Sequence, residues 1–427
     1  MELDLNQKEE YKETELGLLP NDWEVVRLGD VVQKMKAGGT PKRGIKEYWN
    51  GEIPFALIED ITSCGLYLSK TKNTITEEGL KNSNAWIVPE NSLLLSMYAT
   101  IGETAINTIP LATNQAILAI IPKGNFDKVF GAYLLKFNAE RLKMQNIQST
   151  QKNVNKGIVE SFKIPVPPLS EQKKIAYVLS IVQEAKEKTE DVIKATKELK
   201  KSMMKYLFTY GPVNLEEAEK VTLKETEIGL IPEEWNVVRL EDVVEIHDKK
   251  RIPLNSTERS KMKGNYPYCG ANGIIDYVND YIFDGEFVLL AEDGGFWRKF
   301  ENSAYLMKGK FWVNNHAHII RAIESNSVNR FLLYWLIFDD IEKSTSGTTR
   351  KKLNQNVMKN ILIPLPPLPI QQKIASILSA IDQKIEAEEN KKKALEDLFK
   401  SLLHNLMTAK IRVNHLENVF NEEKRIF

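Results

Sequence analysis

The side chains of this sequence with chemistry to offer are cations and amides set in polar turns. Residues 36–49 read KAGGTPKRGIKEYW. Paired glycines let a backbone approach a neighbour closely, and Lys36, Lys42 and Arg43 suit phosphate oxygens. A plain connecting loop has the same composition, so both readings stand. Asn114 and Gln115 precede an apolar stretch that reads as a buried strand. Such amides either satisfy nearby backbone groups or read base edges, as Asn and Gln do with adenine. His316 and His318 alternate in FWVNNHAHII and on one strand would share a face, yet no third ligand stands at a familiar metal spacing. Asp191, Glu198 and Lys200 form a nuclease-like set on paper, but they fall in a Lys/Glu-rich helical stretch that reads as solvated.

The elements that must position these groups occur twice. YKETELGLLPNDWEVVRLGDVV from Tyr11 returns as LKETEIGLIPEEWNVVRLEDVV from Leu223. KIPVPPLSEQKKIAYVLS from Lys163 returns as LIPLPPLPIQQKIASILS from Leu362. Two successive prolines cannot sit inside a helix, so each Pro-Pro-Leu is a rigid extended entry into the helical stretch behind it. A period of roughly 200 residues means two whole modules, since solenoid repeats run at about 20–50.

Between these shared pieces lie divergent ones. IPFALI, NSLLLSMY and QAILAII in the first half, and YPYCGANGIIDYV with its Asn-Gly turn in the second, read as strand-rich α/β domains. Residues 129–142 read as an amphipathic helix. A long helix is expected from Glu171, with Ser170 as its cap, to Tyr210, where Gly211 and Pro212 end it. Ile175, Leu179, Val182, Thr189 and Ile193 mark its apolar side. A second runs from Gln371 to about Lys410, with a register interrupted by Glu388 and Lys392. The expected fold is therefore α/β: two strand-rich domains separated by two long antiparallel helices in a pseudo-two-fold internal repeat. Its parts are residues 1–165, 166–211, 212–364 and 365–427. A helix of about 40 residues is roughly 60 Å long, or one to two turns of B-DNA at about 34 Å each.

Composition sets the bounds. A 427-residue chain with 42% hydrophobic and 27% charged residues can bury sizeable cores without disulfides. The only cysteines, Cys64 and Cys269, stand far apart, which fits a reducing cytoplasm. The first ten residues lack the apolar core of a signal peptide. The longest apolar run, residues 331–338, falls short of the roughly 20 residues that span a bilayer. A soluble, cytoplasmic protein is expected. Its formal net charge of zero leaves any attraction to nucleic acid to local patches.

The doubled IPVPPLSEQKKIA and IPLPPLPIQQKIA, the loops STQKNVN and TTRKKLN ahead of them, the GLLPNDWEVVRL and GLIPEEWNVVRL segments, the AGGTPK loop and the YPYCGANGIIDYV stretch together resemble the specificity subunit of Type I restriction-modification systems. The resemblance covers nearly the whole chain. It implies a non-catalytic reader of double-stranded DNA whose two target recognition domains each read one part of a bipartite site. The helical regions would form the spacer and bind two methyltransferase subunits, and restriction/translocase subunits would join that core. S-adenosylmethionine, ATP and Mg are expected on those partners, with no cofactor on this chain.

The residues agree with this assignment of roles. Residues 166–169 and 365–368 echo the Pro-Pro motif of adenine methyltransferases but lack its leading Asn or Asp and its aromatic. No GxxxxGK[ST] loop is present. The candidate DNA contacts are Lys36, Gly38, Gly39, Thr40, Lys42, Arg43, Asn114 and Gln115 in the first domain. In the second they are Lys249, Lys250, Arg251, Tyr268, Asn272 and Arg298. Thr150, Gln151, Lys152, Thr349, Arg350 and Lys351 are candidates for phosphates near the domain–helix junctions. The rival readings are a coiled-coil interaction scaffold without DNA readout and a self-sufficient methyltransferase.

Overall fold

The computed structural model describes residues 10–145, 153–347 and 351–413. Two compact units form: Met1–Glu190 with Lys391–Phe427, and Asp191–Asn390. Each long helix, Leu169–Tyr210 (the central helix) and Leu368–Met407 (the C-terminal helix), contributes one half to each unit.

The first unit is built on a five-stranded sheet in the order Val32–Ala37, Ile117–Pro122, Leu93–Ser96, Thr104–Asn107, Tyr67–Leu68. Its central strands are buried on both faces, which is why LLLS and ILAI read as unbroken apolar runs. Residues 129–142 do not form one helix. The chain makes Lys128–Phe137 and then Ala139–Met144, because the Asn138 side chain donates to the Leu134 carbonyl (2.8 Å) and caps the first.

The second unit has a six-stranded sheet in the order Val244–Ile246, Ala317–Ala322, Phe283–Ala291, Ala304–Val313, Lys263–Gly270, Gly273–Val278. The FWVNNHAHII stretch is two strands joined at residues 314–316, so His316 and His318 do not share a strand face. The apolar run 331–338 lies in the helix Asn329–Phe338, buried over the sheet. Among the described residues no helix is long and apolar enough to cross a membrane.

The repeated sequences build one joint twice. Entry strand Glu24–Arg27 pairs antiparallel with Lys163–Val166, and Asn236–Arg239 pairs in the same way with Leu362–Leu365. The prolines that follow end each strand, and the Pro168 and Pro367 carbonyls accept the first helical bonds, from Glu171 and Gln172 and from Ile370 and Gln371. The helices therefore start at Leu169 and Leu368, and Ser170 lies inside the first turn and does not cap it. The glutamine three residues into each helix does the fastening. Gln172 Nε2 donates to the Pro167 and Asn125 carbonyls (2.9 and 3.2 Å), and its Oε1 accepts from the Asp127 amide (2.8 Å). Gln371 repeats all three bonds with Pro366, Asn326 and Val328 (2.9, 2.9 and 3.2 Å). Both glutamines are buried.

Within each unit the helix halves run antiparallel. In the first, Glu171 meets Arg412 (2.6 Å) while Glu190 meets Lys392 (3.1 Å), and Tyr133 packs edge-on against Phe399. In the second, Lys197 meets Glu389 (2.7 Å) and Lys200 meets Asp382 (2.6 Å). The interrupted register is thus filled by ions. Glu388 is buried and bonded to Lys384 (2.6 Å). After Met407 the chain returns to its own beginning: the Tyr11 hydroxyl donates to the Ala409 carbonyl (2.9 Å), and Arg412 also reaches Asp22 (2.8 Å).

Candidate nucleic-acid interface

Strand Val32–Ala37 delivers Lys36 to the edge of the first sheet and runs into the paired glycines. The Gly38 amide donates to the Ile117 carbonyl (3.2 Å) and the Gly39 amide to the Thr113 carbonyl (2.9 Å). A β-carbon on Gly38 would lie 1.9 Å from the Thr113 oxygen, and one on Gly39 would lie 2.6 Å from the Asn84 backbone. Close approach, not backbone angle, demands glycine here. The Thr40 hydroxyl donates to Gln115 Oε1 (2.6 Å), and Asn114 Oδ1 accepts from the Ala116 amide (3.0 Å).

Two candidate groups 75 residues apart in the sequence thus form one surface. Asn114 braces the turn. Gln115 is exposed with its oxygen engaged, so its amide hydrogens are what it offers a base-edge acceptor. Lys36 stands over Trp86 (5.4 Å to the ring centre), as does Lys34 (4.4 Å), a cation the sequence reading omitted. Lys42 and Arg43 are exposed on the following turn.

The second unit repeats this turn with different residues. Asn314 Oδ1 accepts from the His316 amide (2.8 Å), as Asn114 does from Ala116. Strand register confirms the match, since Ile117 faces Ser96 where Ala317 faces Ala291. Asn314 and the exposed Asn315 were missed in the sequence, although an Asn ahead of a buried strand was the available signal. Beside this turn runs the loop 292–297. The Asn272 side chain donates to the Gly294 carbonyl (2.9 Å), and His316 Nδ1 lies 2.8 Å from Asp293.

Beneath the turn is a buried polar cluster. Asp248 bonds His318 Nδ1 (2.7 Å), the Ile319 amide (2.9 Å) and Gln355 (2.7 Å), while His318 Nε2 meets the Leu353 carbonyl (2.8 Å). Arg251 bonds Glu292 (2.5 Å) and the Ala317 carbonyl (2.9 Å), and Lys352 also reaches Glu292 (3.1 Å). Burial alone would raise the Asp248 carboxyl, but the His318 bond and charge outweigh it and hold the group below its usual range. Glu292 is likewise lowered against its burial by Arg251 and Lys352. Among the described residues no group of three His, Cys, Asp or Glu side chains is arranged to hold a metal.

Two expected surface contacts have internal roles. Tyr268 is buried, with its hydroxyl bonded to the Leu254 backbone (2.8 and 3.2 Å). Arg251 is a half-buried strut, fixed by the carboxylates just described. Lys249 and Lys250 are exposed on the same turn. Arg298 and Lys351 both pair with Glu342. Thr150, Gln151, Lys152, Thr349 and Arg350 lie outside the described residues. Burial pushes the thiols of Cys64 and Cys269 up to about 11 and about 12, so neither is a nucleophile at neutral pH.

Comparison with known proteins gives one result throughout. Residues 20–196 and 232–397 match the family described as Type I restriction modification DNA specificity domain. The MjaIX specificity subunit of Methanocaldococcus jannaschii is 29% identical, over 95% of this chain and 98% of its own length. The EcoprrI specificity subunit of Escherichia coli is 27% identical, over 82% and 86% respectively. Among solved structures, the S subunit from M. genitalium shares the fold with a TM-score of 0.62 at 16% identity, covering 91% of this chain and 97% of that one.

Proposed function

The chain belongs to the family of Type I restriction-modification DNA specificity subunits, the non-catalytic components of these enzymes, and from that premise we propose that it reads a bipartite DNA site, one part with each unit. One observation carries the reading. Both units present an Asn-braced turn at the same strand end, yet the side chains around it differ: Thr40 and Gln115 in the first, Asn315 and His316 in the second. A shared frame with divergent readers suits two different half-sites.

Phosphate contacts from Lys36, Lys42, Arg43, Lys249 and Lys250 would fix register, and Gln115 and Asn315 would supply base-edge bonds. Two methyltransferase subunits would dock on the repeated joints and helices, with restriction/translocase subunits completing the complex. S-adenosylmethionine, ATP and Mg would be bound by those partners, in the cytoplasm. Methylome sequencing of a host carrying this chain with its partner subunits is expected to show methyladenine in a split motif. A single unsplit motif would overturn the proposal.

A further inference from the structure

We propose that Phe296 is a fixed apolar wedge, which the second unit inserts between base pairs of the half-site it reads. The inference rests on the reading of this chain as a DNA specificity subunit. Single exposed apolar residues are ordinary on protein surfaces. Phe296 differs in how it is held. It is 56% exposed on the loop 292–297, and nearly every neighbour along that loop is tied down.

The Glu292 carbonyl accepts from the Leu353 amide (2.8 Å), and Asp293 is bridged to the backbone of Lys352 and to His316. Gly294 has a φ of +64° and its carbonyl accepts from Asn272. A β-carbon on Gly295 would lie 2.3 Å from that of Ala291, so the loop presses on the sheet where only glycine fits. Trp297 is buried, its indole N–H bonded to the Ala291 carbonyl (3.1 Å) and its own carbonyl to the Glu342 amide (3.0 Å). The Arg298 amide is closed onto Glu301 (3.0 Å).

An aromatic displayed on so constrained a loop has already lost its conformational freedom, which lowers the cost of ordering it on a ligand. Around the loop stand the Asn272 amide, which donates to the Gly294 carbonyl, and ion pairs that join Arg298 to Glu342, Lys352 to Glu292 and His316 to Asp293. An apolar tip in a rim of polar groups whose charges pair with one another suits the stacked faces of DNA bases, between which Phe wedges unstack a step and kink the duplex. The corresponding loop of the first unit, 97–102, has no such feature. Met97 and Ile101 are buried, the one aromatic, Tyr98, is half-buried against the core, and the exposed residues at its tip are Ala99 and Thr100. The wedge is therefore specific to one half-site, where a flexible pyrimidine–purine step is the favoured place for it.

The test uses the full chain assembled with its methyltransferase subunits, on a duplex carrying the split site. The half read by the second unit is the one unchanged when residues 37–162 are exchanged. 2-Aminopurine placed in turn along that half reports unstacking. A fluorescence rise at one position, lost in Phe296→Ala together with about tenfold or more in affinity and kept in Phe296→Leu, is the expected result. Wild-type affinity in Phe296→Ala, or lost affinity with no position unstacked by the wild type, would overturn the wedge while leaving two-part recognition intact. Failure of the wild-type complex to prefer the split site would overturn that reading, and the wedge with it.

Discussion

Gln172 and Gln371 show how one side chain can hold an element in place. Each binds two carbonyls and one amide in a buried setting, joining the Pro-Pro turn to the loop ahead of a packed helix. Replacing Gln172 by Leu keeps roughly the same bulk and leaves those backbone groups unpaired, at about 1–3 kcal/mol for each buried group. We expect Gln172→Leu and Gln371→Leu each to lower stability by about 3 kcal/mol, read from denaturant midpoints at an unchanged slope. A loss under about 0.5 kcal/mol would show that water replaces the side chain. Both glutamines were visible in the repeat, but their role was not. Apart from the Pro167 and Pro366 carbonyls, five residues back, their partners lie 43 to 47 residues away, beyond the reach of local pattern. The same blindness placed Tyr268 and Arg251 among the DNA contacts, since an aromatic and a cation look alike in sequence whether they face solvent or an internal partner.

At the scale of elements, periodicity and punctuation predicted the strands, both long helices and the two-part α/β fold. They failed where side chains interrupt the backbone pattern, at Asn138 and in the Asn314–His316 turn. The two sheets also differ in what lies under their Asn-braced turns. By strand register, Leu118 and Met97 of the first unit stand where His318 and Glu292 stand in the second. An apolar support is indifferent to pH, whereas a charged one is not. The Asp248 and Glu292 carboxyls are both held below their usual values in the folded chain. Acid therefore favours the unfolded state, which takes up protons first. Their stabilisation is complete above the ordinary carboxylate range of about 4 and is lost as pH falls through the lower folded values. We expect the second unit to melt before the first as pH falls from about 5 to 3, visible as earlier amide exchange in strand Ala317–Ala322 than in Ile117–Pro122. Asp248→Asn should cost about 2 kcal/mol at neutral pH and flatten that acid dependence. Simultaneous exchange in both strands would refute the asymmetry.

For the whole molecule, the duplicated joint makes each divergent sheet domain an insertion between repeated pieces. The Leu28 amide bonds the Phe162 carbonyl (2.8 Å), and the strand pair Glu24–Arg27 with Lys163–Val166 brings the two ends of the first insertion side by side. Residues 37–162 can therefore be replaced without cutting that pair. The replacement must still supply what the central and C-terminal helices meet in this unit: the Asn125 carbonyl and Asp127 amide for Gln172, and an aromatic at Tyr133 for Phe399. The second unit has its own core, its own glutamine fastening and its own halves of both helices. Exchange for the equivalent segment of another specificity subunit should thus change one half of the methylated motif and leave the other intact, as read by methylome sequencing. A change in both halves would mean that the two readers share determinants, and the division of labour between them would have to be abandoned.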